Sequence, residues 1–177
     1  KFKLLQSLVL RTKIEDNSFS ILRTEINLKP NNEFIKKGND FLNSINIPQD
    51  AKIICLIVRD NEYLKTKFPK KKWDYHNYRN CNIDNYKDAI NEATNRGYYV
   101  LRMGQHVNKE LIIKDNNKFI DYSKKYRSDF LDIFLAYKCN FCITTGTGWD
   151  CVPAFTFRKP VIWTNYTPVG NLLTYSK

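Results

Sequence analysis

The stretch Ala51-Lys52-Ile53-Ile54-Cys55-Leu56-Ile57-Val58 constrains the fold more than any other. A nearly continuous apolar run of strand length, bounded by polar residues, is how a strand buried on both faces of a parallel sheet reads. It ends abruptly at Arg59-Asp60-Asn61. A parallel sheet needs crossover connections, so the rest of the chain must supply helices.

The flanking patterns supply them. Asn31 to Ile47 places Phe34, Gly38, Phe41, Leu42 and Ile45 on one helical face, between Pro30 and Pro48. Glu62 to Ile83 is a long polar and aromatic insertion. Asp84 is the expected cap of a second helix with Tyr86, Ala89, Ile90 and Ala93 at helical spacing and Gly97 as its stop. Tyr98 to Met103 predicts a strand, followed by short apolar runs at Leu111 to Ile113 and Lys118 to Tyr122. Ser128 or Asp129 caps a third helix that turns Phe130, Ile133, Phe134 and Tyr137 to the core. Phe141 to Thr144 predicts another strand, Asp150 to Phe157 a short helix, and Pro160 to Thr164 a last strand. The alternation implies α/β: an open, mostly parallel, Rossmann-like sheet with helices on both faces.

With 177 residues, 42% of them hydrophobic, the chain can bury one sizeable core. Residues 30–177 are read as that domain. Residues 1–29 are read as a linker or the edge of a missing N-terminal lobe, the whole being a piece of a longer protein. Five cysteines argue against a disulfide framework and for a reducing compartment. Cys55, Cys142 and Cys151 read as packing residues. Cys139 and Cys142 form a C-x-x-C without a second pair or nearby histidine, so no metal site is expected. The net charge of +11 suits polyanionic partners, but its lysines are spread widely, as Lys-rich codon usage would also produce.

In open α/β sheets ligands sit beyond the carboxyl ends of the strands, near the point where strand order reverses. The residues with chemistry fall on that rim. Arg59 follows a fully apolar strand, where it either clamps a phosphate or pairs with a carboxylate such as Asp129 or Asp132. Arg102 repeats the arrangement, and two arginines on one rim favour a diphosphate. The loop Thr144-Thr145-Gly146-Thr147-Gly148-Trp149 is expected to present unpaired backbone N–H groups to an anion. Its alternative is an ordinary strand-to-helix turn capped by Asp150. It has neither the Walker lysine nor a G-x-G-x-x-G spacing, so neither an ATPase nor a nicotinamide cofactor is expected. Lys65 to Arg79 mixes charge with aromatics, suiting nucleic acid, a lid over a sugar, or a surface excursion tied down by its own rings. His76 is its acid–base candidate.

An ordered set of motifs adds a resemblance: Val58-Arg59-Asp60-Asn61-Glu62-Tyr63-Leu64, Trp73-Asp74-Tyr75-His76-Asn77-Tyr78-Arg79-Asn80 and Tyr99-Val100-Leu101-Arg102-Met103-Gly104. Ile120-Asp121-Tyr122-Ser123, Ser128-Asp129-Phe130-Leu131-Asp132 and the Thr-Gly-Thr-Gly loop with Val152-Pro153 and Lys159-Pro160-Val161 complete it. From about residue 30 onward the chain resembles a group of bacterial glycosyltransferases from surface-polysaccharide loci. That group is similar to the C-terminal, donor-binding lobe of two-lobed GT-B enzymes and, distantly, to fucosyltransferases. In those a strand-end His-x-Arg motif grips the nucleotide diphosphate, and here Ile57 stands at the histidine position.

The resemblance implies transfer of a sugar from a nucleotide-diphosphate donor, a GDP-sugar favoured, to a glycan or lipid-linked acceptor without a metal. It implies diphosphate contacts from Arg59, Arg102 and Thr144 to Trp149. Nucleoside contacts would come from Gly104, Asp121, Tyr122, Ser128 and Asp129. Arg59 and His76 are the catalytic candidates, the other partner is the missing N-terminal lobe, and the expected location is cytoplasmic, peripheral at an anionic inner membrane. Two rivals remain: a nucleotide-sugar epimerase of the same fold, and a non-catalytic nucleic-acid-binding domain, the less favoured.

Overall fold

Ile53–Ile57 form β1, and all five residues are buried. Its two faces feed two cores: Ile53, Cys55 and Ile57 enter one cluster, Ile54 and Leu56 the other. A period-two element covered on both sides produces this division. The computed structural model describes residues 28–166, so the expectation for 1–29 lies outside the described residues except at Leu28 and Lys29.

Four further strands, β2 (Tyr99–Arg102), β3 (Phe119–Ile120), β4 (Phe141–Thr144) and β5 (Val161–Trp163), complete the sheet. The order is β3-β2-β1-β4-β5 and every pairing is parallel. The chain builds outward from β1 through β2 to β3, then returns to the other side of β1 to lay down β4 and β5. Strand order therefore reverses between β1 and β4.

Helix α1 (Asn32–Ser44) starts where Asn31, read as its first residue, instead caps it by accepting the Phe34 N–H at 2.8 Å. The expected insertion is ordered: α2 (Glu62–Lys67) and a 3₁₀ turn, Asp74–Arg79, lie within it. The second helix is corrected at its start. Asn82, not Asp84, makes the cap, opening a 3₁₀ turn (Ile83–Tyr86) that runs into α3 (Lys87–Asn95). Asp84 instead pairs with Lys87 and Lys109. A short α4 (Tyr122–Lys125) precedes α5 (Asp129–Lys138), whose cap is Ser128.

The buried face of α5 is rotated from the expected one: Leu131, Phe134, Leu135 and Ala136 are buried, whereas Ile133 is 38% exposed. Helices α1 and α5 cover the Ile53–Cys55–Ile57 face, and α3 with its 3₁₀ turn covers the Ile54–Leu56 face. Cys55, Cys139 and Cys142 are buried free thiols, but Cys151 is exposed, so it does not pack in the core. Among the described residues no helix is long and apolar enough to cross a membrane.

Candidate functional site

The reversal between β1 and β4 opens a crevice at their carboxyl ends, where a doubly wound sheet binds ligands. A cavity of about 420 Å³ lies there, within the usual range for small-molecule sites. Its walls come from the end of β1 (Arg59, Asp60), the loop after β2 (Gly104, His106) and the loop after β4 (Thr147, Trp149).

Arg59 reaches this wall because β1 ends before it. Its backbone is pinned by the N–H donating to Thr145 Oγ1 at 2.8 Å and the C=O accepting from Cys81 at 2.9 Å. Among the described residues the guanidinium has no ion pair and its buried Nε lacks a hydrogen-bond partner. Burial, then the charge of Arg79, lowers the Arg59 pKa from its ordinary value, while Tyr78 and Asp60 act in the opposite direction. Asp60 does not neutralise it through a direct contact. Its oxygens accept the N–H groups of Glu62 (2.9 Å) and Asn108 (3.0 Å), tying α2 to the loop after β2. The carboxylate pairing considered for Arg59 belongs to Arg127, which contacts Asp129 and Asp132, the latter at 2.8 Å.

Arg102 is the main correction. It is the last residue of β2, in register with Leu56, so it points to the α3 side of the sheet instead of beyond its end. The side chain is 1% exposed, and Nη1 donates to Asp121 Oδ2 at 2.9 Å and to the Lys109 carbonyl at 2.7 Å. It forms a buried structural pair and does not face the cavity. Asp121 is equally committed, accepting also from the Leu111 N–H (2.8 Å) and the Ser123 hydroxyl (2.5 Å), so it has no side-chain surface for a nucleoside.

The other nucleoside candidates divide. Tyr122 is fully buried; its hydroxyl lies 2.9 Å from Asp132 Oδ1 and accepts the Ser128 N–H at 3.0 Å, a core role. Ser128 caps α5, and the Asp129 side chain is 89% exposed on Arg127. Gly104 does line the cavity; its φ of +146° suits glycine, and a Cβ there would lie 2.7 Å from Val107.

The Thr144–Trp149 loop is partly as expected. Most of its amides are satisfied from within: Thr145 N–H by Ile57 O, Gly146 N–H by Thr144 Oγ1 and Thr147 N–H by Asp150 Oδ2 at 2.8 Å. Thr144 Oγ1 in turn donates to Asp150 at 2.7 Å. The Asp150 carboxylate thus occupies the position expected for a bound anion, and the following helix shrinks to a five-residue π turn, Val152–Thr156. Thr144 and Thr145 are buried scaffold. The parts that reach the cavity are Thr147, Gly148 and Trp149, with the amides of Gly148 and Trp149 free of internal acceptors among the described residues.

Trp149 is steadied by its indole N–H donating to the Asp132 carbonyl at 3.1 Å. Gly146, at φ +79°, packs so tightly that a Cβ would lie 2.7 Å from the Tyr166 ring.

Among the cavity residues to which sequence reasoning gave no site role are Tyr63, His106, Arg127 and Asp132. Tyr63 and His106 rings lie 6.1 Å apart. Burial raises the Asp132 carboxyl above its ordinary range, against the opposing pull of Tyr122 and Arg127. Only the Arg127…Asp132 spacing across the Ser128 cap could have hinted at that pair.

His76 sits in the Asp74–Arg79 turn, its ring 4.1 Å from that of Tyr75 and stacked on Trp73 at 6.0 Å. It does not line the large cavity. No match is found among protein families, curated proteins or solved structures.

Proposed function

We propose that the chain binds a nucleotide-diphosphate sugar and serves as the donor-binding lobe of a glycosyltransferase. The observation that supports this most is an arginine with no ion pair among the described residues at the end of β1, on the wall of a cavity at the strand-order reversal. A fixed cation in a partly buried site favours an anionic group that can accept a bidentate contact, as a phosphoryl group does.

In this reading Arg59 holds the diphosphate from the β1 side, and the Gly148 and Trp149 amides hold it from the β4 side. Transfer of the sugar leaves a nucleoside diphosphate, whose growing charge these preformed donors stabilise. Trp149 and Tyr63 offer aromatic surface to the sugar or base, and the Asp132 carboxylate offers an acceptor to a base N–H. Arg102 and Asp121, expected at the diphosphate and nucleoside, take no part in binding. They hold the loop after β2, which carries Gly104 and His106 to the cavity.

Thermal unfolding of the protein with a panel of nucleoside diphosphates and nucleotide sugars, GDP-sugars among them, tests the reading. A ligand at 100 times its dissociation constant stabilises the folded state by about 2.7 kcal/mol. Arg59→Gln is expected to weaken binding by at least about tenfold, the loss expected for charge-assisted hydrogen bonds. A folded protein whose midpoint moves with none of these ligands refutes the proposal.

A further inference from the structure

The cationic surface next to Arg59 is larger than one arginine. Arg79, at the end of the turn between α2 and α3, donates from Nη2 to the Gly146 carbonyl at 2.8 Å. This ties its guanidinium to the Thr144–Trp149 loop, which also holds the Arg59 backbone through Thr145. Thr147 is shared between the large cavity and a second pocket of about 120 Å³ that Arg79 lines. Its hydroxyl is buried with no partner among the described residues. His76, three residues before Arg79, has a buried Nδ1 that is likewise unpartnered.

Arg59, Arg79 and the unpartnered Thr147 hydroxyl therefore adjoin one loop, and His76, with its own unpartnered Nδ1, lies within electrostatic reach of both guanidinium groups. Arg59 and Arg79 both depress protonation of His76, after burial, and no carboxylate offsets them there. The groups facing the imidazole are otherwise the rings of Trp73 and Tyr75. Like charges without a counter-ion repel, and an internal carboxylate would be the ordinary remedy. Asp60, beside Arg59, and Asp150, beside the loop, are spent on backbone amides and Thr144, and Asp74, two residues before His76, is exposed and forms no ion pair among the described residues. A cluster held in this state is complementary to an anion with several acceptor oxygens.

We propose that Arg59, Arg79 and His76 form one phosphoryl-binding site, in which the insertion between β1 and α3 supplies two of the three ligands and Thr147 the hydroxyl between them. The inference rests on the proposed function for its placement in the donor site, but not for its chemistry, which requires only a phosphoryl anion. It assigns His76 the role of a ligand that takes up a proton when the anion binds. The aromatic rings around it hold the imidazole in place.

The test uses inorganic pyrophosphate with the whole chain, followed by NMR of the two histidines, His76 and His106. Pyrophosphate is expected to raise the His76 pKa by at least about one pH unit, as an opposite charge within a few ångströms does. Arg79→Gln keeps a donor for Gly146 O, and with His76→Gln it is expected to weaken pyrophosphate binding by about tenfold or more. Circular dichroism verifies that both variants are folded.

An unchanged His76 titration at saturating pyrophosphate overturns the inference, as does wild-type affinity in both variants. So does a response confined to His106, which would put the anion beside the loop after β2, away from His76, and leave the proposed function standing. Binding of pyrophosphate with the His76 response, together with no binding of any nucleotide, supports the site and removes the glycosyltransferase reading.

Discussion

Substituting either partner of the Arg102–Asp121 pair separates a structural arginine from a ligand-binding one. The two side chains are 1% and 2% exposed and bonded at 2.9 Å. Removing one member of a buried pair strands the other charge and costs about 3–5 kcal/mol. Asp121→Ala is the harsher change, because Oδ2 also accepts the Leu111 N–H and Oδ1 the Ser123 hydroxyl. Each buried donor left unsatisfied adds about 1–3 kcal/mol, although the Ser123 hydroxyl can rotate to another acceptor.

Arg102→Met leaves the Asp121 carboxylate with two donors still in place, so its cost is expected at the low end, about 3 kcal/mol. With a urea slope near about 2 kcal/mol per molar, this is a fall of about 1.5 M in the denaturation midpoint. Asp121→Ala is expected to fall further, and the double variant to cost less than the sum of the two singles. Urea titration by circular dichroism measures all three. Arg102→Met with wild-type stability but no nucleotide binding would refute the assignment and return Arg102 to the diphosphate.

Two other predictions concern the frame around the site. Gly38→Ala in α1 gains about 1 kcal/mol of helix propensity, but its Cβ would lie 2.1 Å from the buried Phe134 ring. Overpacking of this kind costs about 1–3 kcal/mol or more, so a net lowering of the urea midpoint is expected; a rise would mean that α1 does not pack on α5 as described. The Asp84 carboxyl, held by Lys109 and Lys87, has its pKa lowered to about 2. Because the folded value lies below the unfolded one, its stabilisation is present above about pH 4 and is lost as pH falls towards 2. Asp84→Asn is therefore expected to lower the midpoint slightly at pH 6 and not at pH 2; equal effects at both would remove the charge explanation.

The sequence by itself determined the sheet and its helical cover. Ile53–Ile57 is apolar at every position, which only a strand covered on both faces requires, and Asn31 and Ser128 are caps whose bonds run to residues three positions away. These are local preferences, legible because the interacting groups are neighbours in the chain. The strand-end rule likewise pointed to Arg59, Gly104 and the Thr147–Trp149 segment, all of which line the cavity.

Tertiary structure alone decided the fates of the two arginines. Both follow apolar stretches, yet Arg102 is inside the hydrogen-bonded ladder, opposite Leu56, whereas Arg59 lies beyond it. A shift of one residue changes the face of a strand to which a side chain points, and that register depends on partners dozens of residues away. The partner of Arg102 is 19 residues distant and the Gly146 contact of Arg79 is 67. Asp150, a cap only in the alternative to an anion-binding loop, fills the loop that an anion was expected to fill, because folding brings its carboxylate onto Thr144 and Thr147 together. Local sequence supplies the donors of this site; the long-range packing determines which of them remain free.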